Sequence, residues 1–255
     1  MRTLLIITMY CICTLSAMGQ NLKTEISKHS LIIGHLLDNN DFETEPSYEQ
    51  LFDLIGNSTI SVTGRKARFT SKDPLNGIDE SAIEQLFQEQ TQLLLSKKII
   101  SEAAHAFLKN ANNELKLAAD PSVSFEQNMT QINLLIADLI TDANKKFNVQ
   151  SIEGELIFGY LYLADDSATF WGNGSSNSGY SAKAKGWVKG IWNKLKGLGG
   201  RTIPQIDGIG FLFGWGRAAY QDYQNGTLEA EGQWDRIGAG ISTGAEVSTF
   251  EFLGS

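Results

Sequence analysis

Apolar residues recur at spacings of three and four through the middle of the chain, and that period predicts α-helices. Ile83, Leu86, Phe87, Leu93 and Leu94 form the first clear series, with Asp79 or Ser81 placed to cap its start. Residues 96–100 read as a short connection. Ser101-Glu102 opens a second helix through Ala104, Phe107, Leu108, Ala111 and Leu115, which Asp120-Pro121 ends. Ser124 caps a third, with Met129, Ile132, Leu135, Ile136, Leu139 and Ile140 on one face, and residues 144–150 break the pattern again. Ser151 caps a fourth over 152–171. It is apolar nearly all round at 156–163, which places it at the centre of a bundle. Short links favour antiparallel neighbours.

The flanks are less regular. Residues 21–40 hold an apolar centre at 31–37 and predict a short helix. Residues 38–77, broken by Pro46, Gly56, Gly64, Pro74 and Gly77, read mostly as loop. One or two helical turns are expected at 48–54, and an extended pair at 59–62 and 67–69. Beyond Trp171 the composition changes. Residues 172–179 (GNGSSNSG) have linker composition, and all five tryptophans lie at Trp171 or later.

Two glycine ladders complete the chain. Gly210, Gly214 and Ala218 fall four apart, as do Gly240, Gly244 and Ser248. That spacing puts small residues on one helix face, where a second backbone can come close. Asn225-Gly226 is a stop and turn between them, and Thr227 is placed to cap the second of the two helices. The expected fold class is therefore all-α: a helical bundle followed by a Gly/Trp-rich helical hairpin module. Gly210, Gly214, Ala218, Gly240 and Gly244 are its expected packing positions. The expected division is 1–19, 20–171, a linker at 172–179 and a module at 180–255.

The N-terminus adds an address. Arg2, an apolar run over 4–15 and small residues at Ala17 and Gly19 form a secretory signal pattern, with cleavage expected before Gln20. Cys11 and Cys13, the only cysteines, fall inside it. The expected mature chain has no disulfide, thiol nucleophile or cysteine zinc site. It is expected to be secreted or periplasmic, as a bacterial envelope or extracellular protein. The most apolar later stretch, 206–223, is interrupted by Asp207, Arg217 and Asp222 and does not read as a membrane span.

The formal net charge of −8 argues against nucleic-acid binding. Its distribution matters more. Between Gly172 and Ile206 every charge is positive: Lys183, Lys185, Lys189, Lys194, Lys196 and Arg201. After it come Asp207, Asp222, Glu229, Glu231, Asp235, Glu246 and Glu251 against Arg217 and Arg236. Drawn on a helix, Trp187, Val188, Ile191, Trp192, Leu195 and Leu198 gather on one side and lysines on much of the other. That is the composition of an interfacial membrane binder. The plainer reading is an ordinary surface helix, with its charges paired to acidic neighbours.

Candidate chemistry is sparse. His35 and Asp38 have a metal-pair spacing, but no second pair accompanies them. Asp165-Asp166 and Glu153/Glu155 are carboxylate pairs that could do acid–base work. The glycine spacings at Gly208 and Gly238 follow no strand and are not dinucleotide loops. No cofactor, metal or catalytic residue is expected.

The layout resembles a group of uncharacterised exported helical proteins of flavobacterial and other Bacteroidota type. In that group a long helix ends in a Ser-x-x-aromatic-Trp pattern, matched here by Ser167, Phe170 and Trp171 within YLADDSATFW, and a glycine-rich tail comes after it. The resemblance implies export and helical class, and no activity. Asp166-Ser167-Ala168 also resembles the short O-glycosylation acceptor used in Bacteroidota, which requires an exposed serine. The functional expectation is an exported, non-enzymatic protein, bacteriocin-like, that engages an anionic membrane surface or an envelope protein through its cationic segment. The alternative is a cell-wall or glycan hydrolase with unidentified carboxylates.

Overall fold

A computed structural model describes residues 21–39, 48–64, 80–118, 120, 122–173, 202–228 and 232–253. Among them there are eight helices and no strand, so the all-α class holds. The helices are α1 (Lys28–Asn39), α2 (Tyr48–Thr63), α3 (Glu80–Ser96), α4 (Glu102–Leu117), α5 (Phe125–Lys146), α6 (Ile152–Asn173), α7 (Ile203–Asn225) and α8 (Gln233–Leu253). Residues 21–26 are helical as well and run into α1 through a turn at Ser27.

Local chemistry sets the helix ends. The Ser101 hydroxyl accepts the Ala104 N–H and opens α4. Ser124 and Gln127 form a reciprocal capping box that opens α5. Ser151 Oγ accepts the Gly154 N–H at 3.0 Å in the first turn of α6. Thr202 caps α7, with Pro204 in its first turn, where a missing N–H is harmless. Gly226, at φ 70, ends α7 in the left-handed conformation. Its N–H bonds Tyr223 O and the Thr227 N–H bonds Asp222 O, closing the last turn. Thr227 therefore seals the end of α7 and does not cap α8, which begins at Gln233.

The helix at α2 corrects the reading of 38–77 as mostly loop. Residues 59–62, expected extended, are helical; 67–69 lie outside the described residues. Thr59 and Thr63 return their hydroxyls to Ile55 O and Thr59 O, satisfying these groups within the helix. Ile55, Ser58 and Thr59 are buried. Tertiary burial thus overrides the β-branched, polar composition that argued against a helix.

One cluster of buried apolar side chains runs through the described helices, from Leu22 to Ala245. Its most extensive helix contact is α7 with α8, followed by α6 with α7 and α5 with α6. The centre of α6 is buried on every side from Gly154 to Leu161, as its all-round apolar pattern predicts. No helix among the described residues is long and apolar enough to cross a membrane.

Candidate functional site

The small-residue ladders lie where α7 meets its neighbours. A methyl group at Gly210 would sit 2.8 Å from Gly244 Cα. One at Gly214 would sit 2.3 Å from the Ala239 carbonyl oxygen. Ala218 is fully buried on the same face. The Phe211 ring fills the space over Gly240 of α8 and Gly159 of α6, where an added methyl would come within 2.5 Å and 2.2 Å of it. Gly244 packs on Leu163 of α6 and on Asp207 O. The helix axes approach closely because these positions lack side chains. Ser248's side chain lies outside the described residues.

Between the closely packed helices lie three polar clusters that patterning did not reveal. The first centres on Arg236, which is 3 % exposed. Its Nε and one terminal nitrogen donate to the two oxygens of Glu155, at 3.1 and 3.0 Å. Its other terminal nitrogen donates to Asp222 at 3.1 Å and to Leu228 O. Trp215 Nε1 donates to the same Glu155 carboxylate. Burial pushes the Glu155 carboxyl above its ordinary value, opposed by the hydrogen bond and charge of Arg236. Burial works against the Arg236 charge too, but Glu155 and Asp222 hold it above the ordinary value.

The second cluster joins α1 to α6 and α7. His29 is fully buried. Its Nδ1 lies 3.3 Å from Asp166 and its Nε2 lies 3.5 Å from Asp207. Asp166 also accepts the Ser30 N–H at 3.0 Å and the Ser30 hydroxyl, so it caps the first turn of α1 from another helix. Asp165, beside it, pairs with Lys23. The third cluster is Asn112 of α4, whose side-chain oxygen accepts from Gln205 Nε2 at 3.0 Å and from the Tyr160 hydroxyl at 3.4 Å.

An open cleft of about 900 Å³ lies over the Arg236–Glu155 pair. Lys98, Glu102, Gln150, Glu153 and Gln233 line it, with apolar Leu95, Ile99 and Leu228. Glu153 accepts the Ser101 N–H at 3.0 Å. Each carboxylate of the two pairs singled out by sequence thus has a structural partner. Glu155 is locked by three N–H donors as an acceptor, a poor arrangement for passing a proton.

His35 Nδ1 lies 3.2 Å from Ser58 Oγ, and Asp38 is exposed. Ser167 is fully buried, so the glycosylation-like motif is inaccessible in the folded protein, and Asp166 beside it is half-buried against His29 and Ser30. Lys183, Lys185, Trp187, Lys189, Ile191, Trp192, Lys194, Leu195, Lys196 and Arg201 lie outside the described residues, as do residues 1–20 and 174–179. Of the remaining tryptophans, Trp171 and Trp215 are buried and Trp234 is exposed.

Glu246 of α8 is 1 % exposed, and among the described residues its Oε1 has no hydrogen-bond partner. Burial pushes its carboxyl up to about 8. A raised folded value means that the stabilising protonated form is lost as pH climbs from the ordinary carboxylate range through about 8. Glu246→Gln should therefore match the parent in melting temperature near pH 4, exceed it increasingly up to about pH 8, and keep that margin above it. A constant difference across that range in thermal melts would contradict this.

Comparison of the chain with protein-family models, with curated proteins and with solved structures finds no match.

Proposed function

We propose that this chain is an exported, non-enzymatic protein that binds an anionic membrane surface through residues 183–201. In this reading the bundle carries, as its working part, the Gly/Trp-rich hairpin of α7 and α8 together with the cationic stretch before it. The observation that supports it most is where the acids of the last third go. Among the acidic residues after Ile206 whose side chains are described, Asp207, Asp222 and Glu246 are buried and Asp235 is exposed. Asp207 faces His29, Asp222 faces Arg236, and Glu246 is held toward its neutral form. With these three engaged inside the bundle, fewer acids remain to balance the six cations at Lys183, Lys185, Lys189, Lys194, Lys196 and Arg201.

Each such cation near an anionic bilayer contributes about 1 kcal/mol, and tryptophan anchors at the interface. The structural engagement of Glu153, Glu155, Asp165 and Asp166 favours this reading over the hydrolase alternative. Flotation with vesicles tests it. The protein should float with vesicles containing anionic lipid and stay behind with neutral ones. Trp192→Glu should abolish flotation by placing a charge on the apolar side, and Lys194→Glu should weaken it less. If Lys194→Glu instead lowers the melting temperature and no vesicle binds, the cations are paired internally or serve a protein partner.

A further inference from the structure

His29 presents both ring nitrogens to carboxylates from different helices, Asp166 on α6 and Asp207 on α7. A neutral imidazole carries one N–H, so its other nitrogen would turn a lone pair toward a carboxylate oxygen. An imidazolium donates from both. The ring is fully buried, so water cannot relieve the mismatch. We propose that His29 is a charge latch. As an imidazolium it holds the start of α1 on α6 and α7, and loss of its proton at alkaline pH frees that end of α1.

The surroundings fit a latch. α1 packs on α2, α6 and α8, and touches α7 through Asp207. Among the described residues the charges acting on the ring are Asp207 and Asp166. On α2 the described charge is Asp53, which is exposed. On α8, Asp235 is exposed, Arg236 is held by Glu155 and Asp222, and Glu246 is buried. On α6, Asp165 is taken by Lys23. Burial alone would lower the His29 value; the hydrogen bond to Asp166 and the charges of Asp207 and Asp166 outweigh it and raise it above 6.5. A raised folded value gives stability that is complete below the unfolded value and is lost as pH rises through the folded one. The Ser30 bonds to Asp166 tie the backbone of α1 to the same carboxylate, so the ring and the helix start are one mechanical unit.

The test is a proton-exchange and NMR titration of the purified full chain from pH 5 to 9. The His29 ring resonances should titrate with a midpoint above 6.5. Amide protection in α1, corrected for intrinsic exchange, should fall at least tenfold between pH 6 and 9, while α5 is unchanged. Asp207→Asn should lower the His29 midpoint without altering the helical circular dichroism. His29→Gln should give an α1 with low, pH-independent protection. Glu246→Gln controls for the buried carboxyl whose raised value falls in this range, and the fall in α1 protection should persist in it. A His29 midpoint at or below 6.5, a flat α1 protection profile, or a fall that vanishes in Glu246→Gln would overturn the latch.

Discussion

Gly214→Ala destabilises the protein by about 2–3 kcal/mol, the usual range for forcing atoms into a packed interior. The added methyl would lie 2.3 Å from the Ala239 carbonyl oxygen and 2.8 Å from its carbon. Both are backbone atoms of α8, so no rotamer change relieves the clash and the two helices must separate. The alanine's better helix propensity, about 1 kcal/mol, offsets only part of this. Gly238, in α8, has open space around its Cα. Gly238→Ala should therefore raise stability by about 0.5–1 kcal/mol, since only propensity changes. Denaturant melts of the two variants check the pair. Equal midpoints would mean that α7 and α8 do not approach as closely as described.

Arg236→Met should be still more damaging, by about 3–5 kcal/mol, because it removes the positive charge facing the buried carboxylates of Glu155 and Asp222. Trp215 would remain as one donor to Glu155, and Asp222 would lose the guanidinium. Glu155, whose carboxyl burial already pushes up, would then prefer its neutral form. The variant should therefore regain stability as pH falls and lose it as pH rises through neutrality. Adding Glu155→Gln and Asp222→Asn to Arg236→Met should recover most of the loss. If Arg236→Met alone melts like the parent at pH 7, the cluster is not a buried structural ion network.

Much of the helical layout was legible in the chain. The three-and-four spacing through residues 83–163, the serines at 101, 124 and 151 and the Asn225-Gly226 stop each correspond to an observed feature. Propensity failed at α2, where threonine hydroxyls return to the helix's own carbonyls and burial decides. It failed again at Thr227, because a hydroxyl near a turn can close the preceding helix as readily as open the next.

The polar clusters were not legible, for a physical reason. Glu155 and Arg236 are 81 positions apart, and His29 and Asp166 are 137 apart. Periodicity reports which face of a helix is apolar, but not which distant residue will meet a lone charge on that face. A usable signal was present in part. Asp207 and Glu155 interrupt otherwise apolar, small-residue stretches, and a charge in such a place must find a partner or lose its charge. Asp166-Ser167 has the composition of an exposed motif; instead Asp166, half-buried, caps α1, and Ser167 is fully buried.

In the proposed function the cations of residues 183–201 meet an anionic bilayer. The most direct measurement is tryptophan emission of the folded protein, titrated at low salt with anionic and with neutral vesicles. A blue shift with the anionic vesicles alone, reversed by salt and absent in Trp192→Glu, is the result the account predicts. An unchanged spectrum with both vesicle types would contradict it.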